Sequence, residues 1–169
     1  MRRFSHRQRF IGQKRRRSCT DHCTQWYHRV GNSLHQPRLK MPSIFSKIIN
    51  GEITSYKVYE DENCFAFLDI NPNAVGHTLC VTKKEVDKLF DLSHKDYNLL
   101  MEFSRKVALG IGKAIPCKRV GMSVIGLEVP HVHVHLIPLQ DMEDATFQKK
   151  VSLTPAEFQA TAVKIHDCL

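Results

Sequence analysis

The chain has 169 residues, 42% of them hydrophobic, which is enough for one globular domain with its own core. No apolar run reaches the about 18 residues of a membrane span, and none follows the basic N terminus as a secretory signal would, so we expect a cytoplasmic protein without membrane contact and with reduced cysteines. The net charge of +8 is concentrated in residues 1–40, which hold eleven Lys or Arg against one Asp, so a nucleic-acid-binding face on the rest of the chain is not expected.

Residues 1–40 show no sustained apolar periodicity and contain three consecutive arginines, Arg15–Arg17. We therefore expect a basic, disordered extension preceding a domain at residues 41–169. Two alternatives are a mitochondrial transit peptide, because the segment is rich in Arg and Ser, and a true start of the protein at Met41. A set of possible metal ligands here is better explained by chance composition. It comprises Cys19, His22, Cys23, His28 and His35.

From Met41 onward, turn residues separate short apolar segments. The predicted strands are residues 56–60, 64–70, 77–82, 120–125 and 131–138, and residues 44–50 form a short helix. A long helix is predicted to begin at Ser93 and a final one at Thr154, where Ser or Thr is followed three residues later by an acidic residue. This irregular order implies an α+β fold with a mainly antiparallel five-stranded sheet, one long helix and a short N-terminal helix.

Three histidines stand at alternate positions of one predicted strand: His131, His133 and His135. Alternate residues of a strand share a face, so all three imidazoles would project together while the intervening apolar side chains enter the core. Such a row could be a metal site, a solvated patch or a phosphate site with one nucleophilic imidazole. Rings about 7 Å apart converge poorly on one ion, and a surface patch needs no apolar residues between them. The phosphate site is therefore the favoured interpretation.

The stretch His131–Ile137 resembles the signature of the histidine triad (HIT) family, in which three histidines alternate with apolar residues and two further apolar residues follow. Residues 44–53, 69–72 and 76–79 resemble three further landmarks of that family, in the same order along the chain. The resemblance implies a HIT-like fold, an AMP-like purine nucleotide as ligand, no cofactor and a two-fold homodimer formed through the long helix and a strand.

The resemblance also implies a nucleotidyl hydrolase similar to adenosine 5'-monophosphoramidase. His133 would attack the α-phosphorus of a nucleoside phosphoramidate or related adenylate and form a nucleotidyl-histidine intermediate. The other ring nitrogen of His133 would donate a hydrogen bond to a backbone carbonyl or to His131. His135 and His77 would donate to the phosphate oxygens, although His77 could instead be an ordinary strand histidine.

In the implied nucleotide site, Asp69 binds the ribose hydroxyls and apolar side chains contact the base without reading its edge. Judged without the resemblance, the apolar positions suit an ordinary core, and Asp69 could be a turn residue. The predicted base-binding residues are Ile44, Phe45, Ile53, Phe67, Leu68 and Ile70.

The segment before the triad departs from the polar, glycine-rich loop of many family members. It contains Gly126 as a predicted phosphate-loop residue and, unusually, Glu128. An ionised acid would repel phosphate, so Glu128 either turns away or is protonated, and we hypothesise that it delivers a proton to the leaving group. Some family members also bind a structural zinc, but here Ser43, Ser46 and Glu85 occupy three of the ligand positions. Because hydroxyls are poor zinc ligands, we predict no bound metal.

Two other functions compete with the hydrolase. The altered phosphate loop would suit a nucleotide-sensing or protein-docking module with little turnover. The basic extension would suit nucleic-acid binding, but it lacks the interleaved aromatic residues of a single-strand site. A hydrolase should keep its activity without residues 1–40.

Overall fold

A computed structural model describes residues 41–169 of the chain. The predictions for residues 1–40, namely disorder, targeting and a chance cluster of Cys and His, lie outside the described residues. Three α-helices are present in the described range: α1 (Ile44–Ile49), α2 (His94–Ala114) and α3 (Pro155–His166). The strands are β1 (Lys57–Glu60), β2 (Cys64–Leu68), β3 (Thr78–Thr82), β4 (Arg119–Ser123) and β5 (His133–Leu139).

Side-chain caps determine where the helices begin. The hydroxyl of Ser93 accepts a hydrogen bond from the backbone N–H of Asp96 at the start of α2. Thr154 and Glu157 form a reciprocal capping box at the start of α3. Both predicted helix starts are therefore confirmed. Within residues 41–169, no helix is both long and apolar enough to cross a bilayer.

The five strands form one antiparallel sheet in the order β1-β2-β3-β5-β4. This architecture confirms the predicted fold class. The last strand in sequence, β5, lies between β3 and β4 and is hydrogen-bonded on both sides. The backbone that carries the β5 side chains is therefore constrained by hydrogen bonds along both edges.

The two faces of the sheet have different coverings. On one face, alternate strand residues pack with the apolar stripes of α2 and α3, forming the main core. On the other face, a smaller apolar cluster forms around Phe45 of α1. His133 lies opposite Val81 and His135 opposite Leu79 in the β3–β5 register. Because directly paired residues share a face, both imidazoles lie on the side of the sheet that carries α1.

The predicted strand 131–138 begins two residues too early. The backbone N–H of His131 donates to the carbonyl of Val129 at 2.8 Å, and that of Val132 donates to Val86 at 2.7 Å. Neither N–H joins the β3 ladder, which ends where His133 pairs with Val81. The expectation that one strand carries all three histidines is therefore wrong for the first of them.

Gly76 lies next to His77, just before β3, and its backbone packs closely against Ile115. It has a φ of +87°, and a Cβ atom there would lie 2.9 Å from Ile115 Cγ1. Gly51 has a similar φ of +77° but open space around it. We expect Gly51→Ala to lower the free energy of unfolding by about 1 kcal/mol. Gly76→Ala should lower it by roughly 2 to 4 kcal/mol, because overpacking adds to the backbone strain.

Urea unfolding of both variants measures the difference. Equal losses would show that the contact with Ile115 relaxes without cost.

Candidate active site

The two ring nitrogens of His133 have different surroundings. Its Nδ1 lies 2.8 Å from the carbonyl oxygen of His131. A carbonyl can only accept, so Nδ1 carries a hydrogen, and in the neutral ring it is Nε2 that keeps the lone pair. Within residues 41–169, no hydrogen bond to Nε2 is present. The ring also meets Phe45 edge to face, with centroids 5.1 Å apart. The carbonyl and the phenyl ring together fix the orientation of the imidazole.

A chain of hydrogen bonds determines the tautomers of His77 and His135. The backbone N–H of Asn73 donates to His77 Nδ1 at 3.1 Å. His77 must then carry its hydrogen on Nε2, which lies 3.1 Å from His135 Nδ1 and donates to it. His135 is left with an Nε2–H donor. Asp69 Oδ2 lies 3.6 Å from His77 Nδ1, beyond hydrogen-bonding distance.

These two histidines are held in the neutral form. Burial lowers the pKa of His135 to about 3, and the neighbouring imidazoles and the Lys150 ammonium act in the same direction. Burial also lowers the pKa of His77, where Lys150 assists and Asp69 opposes the shift. At neutral pH the ring of His135 can donate its Nε2–H to an anion without contributing a charge. The Nε2–H of His77 is already donated to His135, so His77 has no hydrogen left for the phosphate that it was predicted to contact.

The side chain of His131 has a different place from the one predicted. It is completely buried, with Nε2 2.7 Å from the carbonyl oxygen of Thr82 and Nδ1 2.7 Å from Ser43 Oγ. It is not among the residues that line the cavity beside His133. The predicted acceptor for His133 is thus the backbone carbonyl of His131, and the His131 ring holds that backbone in place.

The three positions that carry zinc ligands in some family members form a hydrogen-bonded cluster here. Glu85 Oε2 accepts from the backbone N–H of Ser43 at 2.9 Å and from the hydroxyl of Ser46. Together with the Ser43 contact to His131, these bonds link the start of α1 to the triad segment. The absence of metal from this cluster stays a prediction.

A second set of potential ligands has its ligand atoms within 4.8 Å of one another: Asp69, His77 and His135. The two histidines are already hydrogen-bonded to each other. An ion coordinated by those same nitrogens would have to break that bond, so the geometry favours a hydrogen-bond chain.

A cavity of about 430 Å³ opens beside the histidines, a volume within the usual range for small-molecule sites. Five predicted site residues line it: Asp69, Gly126, Glu128, His133 and His135. Glu128 is exposed there, and its role as a proton donor stays a prediction. Six further lining residues were not predicted: Asn71, Ile125, Leu127, Thr146, Phe147 and Lys150.

The residues predicted to contact the base fall into three groups. Phe45 and Phe67 are buried and pack edge to face, 5.5 Å apart, on the histidine side of the sheet. Leu68 is buried in the main core, on the opposite face, so its prediction as a base contact is wrong. The remaining three, Ile44, Ile53 and Ile70, are exposed. Asp69 Oδ1 accepts the backbone N–H of Asn71 at 2.9 Å, so this carboxylate does stabilise a turn.

Half of the unpredicted lining residues come from the segment after β5, namely Thr146, Phe147 and Lys150. The backbone N–H of Val151 donates to the carbonyl of Pro72 at 2.8 Å, which brings residues 146–150 back to the turn before His77. The one sequence signal was the Lys149-Lys150 pair so soon after the triad. Nothing in its spacing indicated a contact with residues 71–73.

Comparison with known proteins identifies the family of this chain. A family model described as the HIT domain matches residues 50–142. The chain belongs to the HIT family. A HIT-like protein of Borreliella burgdorferi is 34% identical over 131 residues, which are 72% of this chain and 94% of that protein. Adenosine 5'-monophosphoramidase HNT1 of Saccharomyces cerevisiae is 37% identical over 103 residues, which are 58% of this HIT protein and 63% of the yeast protein. The crystal structure of a Hit-like protein of Bartonella henselae matches with a TM-score of 0.67 and 30% identity, covering 75% of this chain and 96% of that one.

The tautomers and pKa shifts in this HIT domain predict a distinct NMR signature. Long-range ¹H–¹⁵N spectra should show Nδ1–H on His133 and Nε2–H on His77 and His135, with His135 still neutral at pH 5. In urea, both shifted histidines should titrate near 6.5. Because their folded pKa lies below the unfolded one, the unfolded chain binds more protons as the pH falls below about 6.5, and stability should decline from there downward. A folded-state midpoint near 6.5 for His135 would contradict the buried, neutral assignment.

Proposed function

We propose that this HIT protein is a nucleotidyl hydrolase that cleaves nucleoside phosphoramidates, or related adenylates, at the α-phosphate. The observation that carries the proposal is the orientation of His133, whose Nδ1–H is bound by a backbone carbonyl while Nε2 keeps a lone pair. His135, on the same face, offers an Nε2–H to an anion. The similarity to a yeast enzyme named adenosine 5'-monophosphoramidase supports the same substrate class.

The reaction consists of two displacements at phosphorus. His133 Nε2 attacks the α-phosphorus, a P–N bond forms, and the bond to the leaving group breaks. The leaving group keeps the electron pair and takes a proton from solvent. Water then attacks the same phosphorus and releases a proton to solvent, the P–N bond breaks with its electron pair returning to Nε2, and the nucleoside monophosphate leaves with neutral His133 restored. His135 stabilises the charge that grows on the phosphate oxygens. His77 acts through His135, because its Nε2–H fixes the tautomer of that ring.

The nucleoside would lie outward from this centre. Asp69 lines the cavity and would bind the ribose hydroxyls through the oxygen that is not engaged by Asn71. Exposed Ile44 and Ile53 would contact the base. Apolar contacts of this kind discriminate weakly between bases.

A binding module with little turnover is the second candidate. It is favoured by Glu128, an acidic side chain that lines the cavity where a phosphate would approach. Turnover measurements separate the two candidates.

The decisive experiment replaces the nucleophile. We expect His133→Ala to reduce kcat/KM for an AMP–lysine conjugate by at least about 10³-fold, because no other group can form the intermediate. His94→Ala, an exposed histidine at the start of α2, is the matched control and should match the wild type. Rapid quenching followed by mass spectrometry should find AMP attached to His133 in the wild type.

Activity retained in His133→Ala would refute the nucleophile. AMP binding without turnover of either AMP–lysine or a diadenosine substrate would favour the binding module.

We also propose that the protein forms a two-fold dimer through the free edge of β4 and the neighbouring face of α2. Strand β4 pairs on one side only within the described sheet, and Met122 on β4 and Leu109 on α2 are each about half exposed. An unprotected edge with apolar side chains is suited to association with a second copy.

Light scattering should then give twice the chain mass of 19.5 kDa. Met122→Lys should shift the protein toward the monomer, because a buried lysine opposes edge pairing. Phe90→Lys changes another exposed apolar residue, outside β4, and should remain dimeric. A wild-type mass of 19.5 kDa would contradict the dimer.

A further inference from the structure

We propose that Lys150 is a phosphate-binding residue of this site, contributed by the segment that follows the histidine strand. The inference rests on the proposed function, since it assumes that an anionic nucleotide occupies the cavity. It adds a substrate-contacting cation from outside the triad and its preceding loop.

The Lys150 ammonium is held at the cavity wall by two acceptors. Its Nζ donates to the backbone carbonyl of Asn71 at 3.0 Å and to Asn73 Oδ1 at 2.9 Å. An ammonium has three donors, so one N–H remains for a ligand. Lys150 lines the same cavity as His133 and His135. The charge therefore has a defined position in the wall of the cavity that holds His133.

The segment that carries Lys150 is anchored on both sides. Before it, Lys149 pairs with Asp144 at 2.8 Å. After it, Val151 is hydrogen-bonded to Pro72. Phe147 adopts a φ of +63° and meets the His135 ring edge to face at 4.9 Å. A left-handed backbone is unfavourable for a bulky residue, so tertiary contacts must hold Phe147 there. Residues 147–150 thus form a built wall of the cavity.

The charges that line the cavity favour such a cation. His135 is kept neutral by burial and offers a donor without charge, and the hydrogen of His77 is already donated to His135. Asp69 and Glu128 are acidic and line the same space. Among the described residues that line the cavity, Lys150 is the one that is Lys or Arg. Without it, a phosphate would enter a site whose formal charges are negative, which Coulomb's law disfavours.

The experiment compares an anionic with a neutral ligand. Calorimetry at low ionic strength gives the Kd of AMP and of adenosine for the wild type, Lys150→Met and Lys150→Arg. Lys150→Met should weaken AMP binding roughly tenfold and leave adenosine binding unchanged, because a charge-assisted hydrogen bond to phosphate is lost. Lys150→Arg should stay within about threefold of the wild type. Lys164→Met removes the same charge from an exposed site on α3 and should have no effect.

Salt dependence provides a readout that a purely structural role would not change. Lys150 is exposed, so its attraction for phosphate is screened as ionic strength rises. The difference in AMP affinity between wild type and Lys150→Met should therefore shrink between about 20 mM and 500 mM salt, as expected when the Debye length falls below about 5 Å.

The outcomes separate the two proposals. Equal AMP affinity in wild type and Lys150→Met would overturn the role of Lys150 while leaving the hydrolase intact. Equal weakening of AMP and adenosine would also overturn it, because Lys150 would then act on the Asn71–Asn73 turn and not on the phosphate. Failure of the wild type to bind either ligand would overturn the proposed function, and this inference with it.

Discussion

The hydrogen bond from His133 Nδ1 to the carbonyl oxygen of His131 is the contact on which the site depends, because it decides which ring nitrogen keeps a lone pair. That carbonyl is held in turn by the buried ring of His131, which bonds to Thr82 on one side and to Ser43 on the other. Ser43 also caps helix α1. The first histidine of the triad thus supports the second through the backbone, and the start of α1 supports the first.

Burial of the imidazoles has two consequences that oppose each other. It keeps His77 and His135 neutral, so the positions of their hydrogens are defined: His77 donates to His135, and His135 can donate to a phosphate. It also removes the positive charge that protonated histidines would have supplied. The segment after β5 restores a charge at the cavity wall through Lys150, whose exposed ammonium does not suffer the same desolvation. The neutral hydrogen-bond donor and the cation therefore come from different parts of the chain, because the burial that keeps an imidazole neutral would also disfavour a charge.

Local patterns predicted much of the architecture because they depend on neighbouring residues. The caps at Ser93 and Thr154 involve residues three positions apart, and the strands follow from apolar alternation between turns. The same alternation is incompatible with Leu68 as a base contact beside Phe67, since adjacent strand residues face opposite sides of the sheet. That prediction came from the resemblance and not from the strand geometry. The prediction that His131 lies on the strand was wrong for another reason: an alternation of period two does not show where the hydrogen-bonded ladder ends.

By itself, the sequence determined the HIT motif, the α+β class, and the presence of His133, His135, Gly126 and Glu128 beside one cavity, since the motif and these four residues lie within the twelve positions 126–137. Only the tertiary structure decided the tautomers, the neutral state of the imidazoles, the buried role of His131 and the arrival of Lys150 beside Asn71 and Asn73. Each of these depends on groups far apart in the chain. Ser43 and His131, for example, are separated by 88 positions, and Lys150 and Asn73 by 77. Such contacts form when the sheet brings distant segments together, and no spacing along the chain encodes them.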